Sequence, residues 1–167
     1  MVDHTRKGNV VSEDLWGMAP HASIPCGLLR NEGRSLAEGL SAALDAVQSR
    51  QIWWASPGYL PAPGFVRYLG DTLELSELDL VLCDRIRCDD SGRAVKLESP
   101  RPRSRSLEKT LRKGHLSWKG GIVMSRDAID RAGGPDPDAG AAALEDLILR
   151  VAAAGPGGVV PLPLLLA

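Results

Sequence analysis

The sequence predicts an α/β fold, a sheet carrying helices on its faces. Segments with strand character alternate with segments of helical periodicity, and Gly and Pro bound nearly all of them. A length of 167 residues suits one domain with one core.

The elements follow in chain order. Residues 1–20 show no sustained periodicity and are expected to be irregular. Ala22 to Leu29 (ASIPCGLL) reads as an extended segment or strand. In the next stretch, Ser35 and Glu38 have capping-box spacing. Leu36, Leu40, Leu44 and Val47 then form one apolar stripe, which predicts an amphipathic helix. QIWWA follows as a short buried strand, and SPGYLPAP as a turn-rich loop. Pro63 suits a first helical turn, with Val66, Leu69 and Leu73 as the inner face of that helix.

LDLVLCDRI reads as a strand with Leu78, Leu80 and Leu82 on one side. DDSG is a turn signal and AVKL its return strand. Arg101 to Lys113 is a basic loop running into a short helix around Leu107 and Leu111. GIVM is a strand, and Ser125 caps a short helix with Ala128, Ile129 and Ala132 inside. Leu144, Leu147, Ile148 and Val151 mark the last helix, which Gly155 ends. The tail, VVPLPLLLA, is read as a buried edge strand.

Composition narrows the classes. The hydrophobic share of 44% and charged share of 25% are those of an ordinary globular chain. A net charge of −1 gives no field that favours nucleic acid or a membrane surface. The basic run from Arg101 to Lys113 lacks interleaved aromatics, so nucleic acid is not an expected partner. The N-terminus has no apolar core of a signal peptide. The tail is far shorter than the ~20 residues of a spanning helix, so no transmembrane segment is expected. Cys26, Cys83 and Cys88 are odd in number and read as reduced thiols, which fits a cytoplasmic location. Cys83 and Cys88 have no second ligand pair for zinc. His4, His21 and His115 have no metal-like partners. The Ser, Cys and His residues show no nucleophile-elbow setting.

One pair of carboxylates stands out. Glu145 and Asp146 fall in the first turn of the last helix, where free N–H groups and the dipole favour negative charge. Taken alone, such residues cap helices. Before them, Gly133-Gly134, Pro135-Asp136-Pro137-Asp138 and Ala139 to Ala143 form a small-residue approach. That approach leaves room above the carboxylates, and a rigid helix start beside an open loop is a sound mounting for a general base.

The stretch GGIVMSRDAIDRAGGPDPDAGAAALEDLILRVAAAG resembles the C-terminal signature of the family 2 glycosyltransferases. That pattern is a small-residue strand, a short helix starting near arginine, Gly-Gly-x-Asp, then Glu-Asp, leucines, an arginine and a glycine. Gly133, Gly134, Asp136, Glu145, Asp146, Leu149, Arg150 and Gly155 occupy those places. Upstream, NEGRSLAEGLSAALDAVQSRQIWWASPGYLPAPGFVRYL is similar to the family's Asn-x-Gly loop, helix, central strand and following helix. LDLVLCDRIRCDDSGR is similar to its next strand pair. The resemblance covers most of residues 22 to 165.

The resemblance implies a single GT-A-like, Rossmann-like three-layer domain over residues 1–167, with a central, mostly parallel sheet. It implies transfer of a sugar from a nucleotide-sugar donor to a hydroxyl acceptor, with inversion. Asp146 takes the place of the general base, and Glu145 shapes the site beside it. Asn31, Gly33, Gly120, Gly121, Asp136 and Arg150 fall among the substrate-binding positions, and Trp118 is the candidate for stacking on the acceptor. Arg150, four residues after Asp146, is placed for an ion pair.

Two departures qualify the expectation. The family's Asp-x-Asp holds a divalent Mg or Mn; here WWASPGYLP stands in that place, with no acidic residue between Asp45 and Asp71. A metal cofactor is therefore not expected, and Arg101, Arg103, Arg105, Lys109, Arg112 and Lys113 are the available counter-charges. The second departure is a short N-terminal part, with about thirty residues ahead of NEGRSLAEGL where the family's nucleoside-binding half would stand. Two readings follow: an atypical transferase, with a partner chain completing the nucleotide-binding half, or an inactive GT-A-like module that binds a protein or a sugar.

Overall fold

The computed structural model describes residues 2–3, 29–30, 35–55, 59–100, 107–113 and 120–166. They fall into two compact units, Met1–Gln48 with Pro135–Leu144, and Ser49–Gly134 with Glu145–Ala167.

In the first unit, β1 (Val2–Asp3) pairs in parallel with β2 (Leu29–Arg30). A paired strand thus stands at Val2–Asp3, inside a segment the sequence reading leaves irregular. Helix α1 (Leu36–Ala46) starts from the expected capping box: the Ser35 hydroxyl accepts from Glu38 N at 3.2 Å, and Ser35 N donates to Glu38 Oε2 at 2.7 Å. Its buried face is Ala37, Gly39, Leu40 and Leu44, while Val47 lies outside the helix at its C-cap and is 42% exposed. A 3₁₀ segment, Pro137–Ala142, packs on α1; Asp136 caps it by accepting from Asp138 N at 2.9 Å.

The second unit is a six-stranded sheet with helices. Its strands are β3 (Gln51–Trp53), β4 (Leu60–Pro61), β5 (Leu80–Cys88), β6 (Ala94–Glu98), β7 (Ile122–Ser125) and β8 (Gly157–Leu166). The order is β3-β7-β5-β8-β4, with β6 also on β5. The helices are α2 (Phe65–Leu75), α3 (Leu107–Arg112), α4 (Arg126–Arg131) and α5 (Ala143–Ala154), the last starting within the first unit.

The sheet is not mostly parallel. Only β5 and β8 run parallel, whereas β3/β7, β5/β7, β5/β6 and β4/β8 are antiparallel. The reason is local. β6 returns from β5 through a tight turn in which Asp89 Oδ1 accepts from Ser91 N and Arg93 N, with Gly92 at φ 79°. β7 then inserts between β3 and β5 and opposes both.

β5 organises the core. Leu80, Val81, Leu82 and Cys83 are all fully buried, so this strand is covered on both faces and not on one side alone. Phe65, Leu69 and Leu73 of α2 pack with Val81, Cys83, Val123, Val160, Leu164 and Leu165, and Trp53, Tyr59 and Leu78 join them. Phe65, not Val66, completes the inner face of α2; Val66 is 60% exposed because the helix starts at Phe65 behind Gly64.

The tail is an interior strand rather than an edge, held between β5 and β4. Pro161 is tolerated because the ladder slips there: Cys83 pairs with Val160, but Asp84 pairs with Pro163. Pro161 and Leu162 are left out of that register, where a missing N–H costs no ladder bond.

Candidate active site

Helix α4 fixes the approach to the acidic pair. Ser125 accepts from Ala128 N at 3.1 Å and starts the helix, as expected. The helix ends in a Schellman arrangement: Gly134 N donates to Ile129 O and Gly133 N to Asp130 O, each at 3.0 Å. Both glycines have positive φ, 83° and 69°, which explains the Gly-Gly pair.

Arg150 then ties this turn to the last helix. Its Nε donates to Asp146 Oδ2 at 2.7 Å, one Nη to Gly134 O at 2.7 Å, and the other Nη to Ala132 O. Spacing along the helix gives the ion pair; the two carbonyl bonds come from the tertiary fold and are not visible in the sequence. The Asp146 side chain is 37% exposed and the Arg150 side chain 32%. Among the described residues only Oδ2 of Asp146 is engaged, so Oδ1 is available to accept a proton. Glu145 beside it is half-buried. Leu147, Ile148 and Val151 anchor the helix in the core, holding the carboxylates on a rigid base.

The other predicted positions are dispersed. Gly120 and Gly121 are buried and closely packed: the Tyr59 ring lies where a Gly120 Cβ would be, and Leu165 and Cys83 crowd Gly121. The Gly120 carbonyl accepts from Trp53 Nε1 at 2.8 Å. Asp136 caps the 3₁₀ segment in the first unit. A groove of about 340 Å³ in that unit is lined by Glu38, Ser41, Asp45 and Pro135 among others. Asn31, Gly33 and Trp118 lie outside the described residues, as do Arg101, Arg103 and Arg105.

The place where the resemblance would put metal-binding aspartates is the end of β3. Trp53 stacks at 4.7 Å from Phe65 in a tilted pair, and Trp54 follows it. Among the described residues no three His, Cys, Asp or Glu side chains converge on a point that could hold a metal ion. The described side chains at the end of β3 offer no oxygen donor set for a divalent cation.

Two polar atoms were not singled out by sequence reasoning. Asp84 is 3% exposed, and among the described residues its Oδ1 is buried with no hydrogen-bond partner; the Nε1 atom of half-buried Trp54 also has none. The signal available beforehand was an aspartate inside the apolar run LDLVLCDRI.

Comparison with protein-family profiles and with curated protein sequences gives no match. No helix among the described residues is long and apolar enough to cross a membrane. Solved structures do match. The crystal structure of S. aureus TarS 1–349, a glycosyltransferase, superposes with a TM-score of 0.65 at 12% sequence identity. The match takes in 99% of this chain but only 49% of TarS 1–349, so the chain spans about half the length of that structure. The similarity is one of fold: the chain shares the α/β architecture of that structure.

Proposed function

We propose that this chain is a glycosyltransferase of the family 2 type, acting as one domain over residues 1–167. In this reading it moves a sugar from a nucleotide-sugar donor to a hydroxyl acceptor with inversion. The observation that carries the reading is the clamp around Asp146. Arg150 engages Oδ2 and the Gly-Gly turn together, which leaves Oδ1 oriented at a rigid helix start. A carboxylate held so can take the acceptor proton as the new C–O bond forms, when the hydroxyl becomes acidic. The sugar's anomeric carbon passes to the acceptor oxygen, and the nucleoside diphosphate leaves from the opposite side. Glu145 shapes the acceptor side. No metal takes part in this reading. A partner chain supplies the rest of the nucleotide-binding half.

The alternative, an inactive module that binds a protein or a sugar, is favoured by one observation. Among the described residues, no donor set stands at the end of β3 for the cation that would neutralise a diphosphate. Thermal unfolding with UDP-, GDP- and TDP-sugars, with and without Mn, separates the two when paired with a transfer assay. Stabilisation with turnover supports the enzyme, and stabilisation without turnover supports the module. No stabilisation by any nucleotide sugar sinks the transferase reading for this chain.

A further inference from the structure

Strand β6 is an open edge of the sheet. Among the described residues it pairs with β5 alone. Ala94, Val95, Lys96 and Leu97 are all exposed, Val95 by 57% and Leu97 by 60%. An open strand edge that carries apolar side chains is a template for a further strand.

Leu97 ends a longer apolar row. The ladders place Leu60 beside Leu166, Leu166 beside Ile86, and Ile86 beside Leu97. The row crosses four strands and stops at the open edge. The other face of β6 is charged. Lys96 Nζ lies 3.5 Å from Glu98 Oε1, and Lys96 stands opposite Arg87 across the hairpin. Like charges directly opposite each other weaken a ladder. The register shift of this hairpin falls between Arg87 and Cys88, toward the turn, so Lys96, Leu97 and Glu98 are in regular pairing.

These residues favour a copy of themselves. When identical strands pair antiparallel, the twofold axis passes either at a residue or between two. An axis between two residues sets Leu97 or Val95 against a charged side chain. An axis at Lys96 sets lysine against lysine, and an axis at Val95 sets Leu97 against Arg93. An axis at Leu97 sets leucine against leucine and Lys96 against Glu98 on both sides. It also gives each lysine a carboxylate on the side away from Arg87. A net charge of −1 puts little long-range repulsion between two copies.

We propose that β6 is a self-association edge: two copies of this chain pair through β6, antiparallel, with the twofold axis at Leu97. The contact joins the two sheets, and the apolar row runs unbroken from Leu60 of one copy to Leu60 of the other. Each β6 has one open side, so the contact closes at two copies. The paired segment is only five residues long, which sets the expected Kd on the order of 100 µM. This inference does not depend on the transferase reading.

Sedimentation equilibrium of the intact chain, from about 5 µM to about 1 mM, compares the mass with the 17.8 kDa of one copy. The expected result is a monomer–dimer equilibrium with no larger species. Lys96→Glu should weaken the dimer at least about tenfold, because two carboxylates then oppose each other. Its melting temperature at low concentration should hold or rise, because the new carboxylate faces Arg87 in its own hairpin. Loss of the dimer is thereby separated from loss of the fold. Leu97→Cys reads the register. Opposed Cα atoms of an antiparallel pair are about 4.5–5.5 Å apart, within the span of a disulfide. Mild oxidation should therefore trap Leu97→Cys as a covalent dimer. Val95→Cys, about 13 Å from its mate in this register, should not be trapped. The wild-type chain with its own cysteines is the control. A chain that stays monomeric at about 1 mM overturns the proposal and leaves the edge to an extended segment of another protein. A dimer that survives Lys96→Glu, or that Val95→Cys traps as readily as Leu97→Cys, lies elsewhere on the surface and overturns it as well.

Discussion

Arg150 and Asp146 are joined across one turn of α5, Nε to Oδ2 at 2.7 Å, while the same guanidinium holds the carbonyls of Ala132 and Gly134. The arginine is thus a strut between the end of α4 and the start of the acidic helix. Arg150→Ala removes three charge-assisted bonds in a half-buried setting. We expect a loss of about 2 kcal/mol in urea unfolding. Arg150→Lys should recover only part of it, because a single ammonium cannot match the planar fork.

Asp146→Asn separates chemistry from architecture. The amide oxygen can still accept from Arg150, so stability should change by less than about 1 kcal/mol. Turnover should vanish, because an amide cannot take the acceptor proton. Retained turnover refutes the base assignment, and a large loss of stability makes capping the main role of the residue.

Arg85 and Glu98 form the most buried ion pair among the described residues, with side chains 11% and 12% exposed and Arg85 Nε 2.8 Å from Glu98 Oε2. The hydrogen bond from Arg85 is the main cause that holds the Glu98 carboxyl below its ordinary value of 4.5. A depressed carboxyl stabilises the fold above its unfolded value, and that contribution fades as pH falls through the lower folded one. Wild-type melting temperature should therefore drop more steeply below about pH 4.5 than that of Glu98→Gln. At neutral pH, Glu98→Ala removes the carboxylate that accepts from Arg85 Nε and should cost about 1.5 kcal/mol in urea unfolding.

Gly155 and Asp79 are in close approach at the end of α5: a Cβ on Gly155 would overlap Asp79 Oδ2. Asp79 cannot easily yield, since its carboxylate pairs with Arg131 and its N–H donates to Pro156 O at 2.8 Å. Gly155→Ala should destabilise by about 2 kcal/mol in thermal or denaturant unfolding. Adding Asp79→Ala should cost less than the sum of the single changes, because the overlap is relieved.

Burial pushes the Cys83 thiol up to about 12, with the neighbouring Asp84 charge adding to it. Cys83 should resist alkylation by iodoacetamide in the native chain at about pH 8, where an ordinary thiol is already partly ionised. Cys88, half-buried, should react under the same conditions. Peptide mass mapping reads both, and rapid native labelling of Cys83 would contradict the burial described.

What could be read in the sequence was what short-range chemistry dictates. The Ser35–Glu38 capping box, the Ser125 cap, the DDSG hairpin and the leucine stripe of α5 all rest on residues within a few positions of each other. The Asp146–Arg150 pair was legible for the same reason. Strand order was not: nothing local says that β7 should enter between β3 and β5, or that the tail should sit inside the sheet. The carbonyl bonds of Arg150 escaped for a similar reason, since backbone acceptors have no sequence signature. Asp84 was passed over because the run LDLVLCDRI, read as a strand through Ile86, does not say which elements cover it; the burial of the Asp84 carboxylate comes from the tertiary fold.

The placement of β8 also governs how the chain can be made. β5 is complete once Cys88 has been synthesised, and its hairpin with β6 can close at once. Its long edge waits for Gly157–Leu166, some seventy residues later, and so does β4. Until then the nascent sheet shows an open apolar edge, the kind that pairs with neighbouring chains. A stop codon ahead of Gly157 would make that exposure permanent, so such truncations should be found in aggregates rather than as folded monomers.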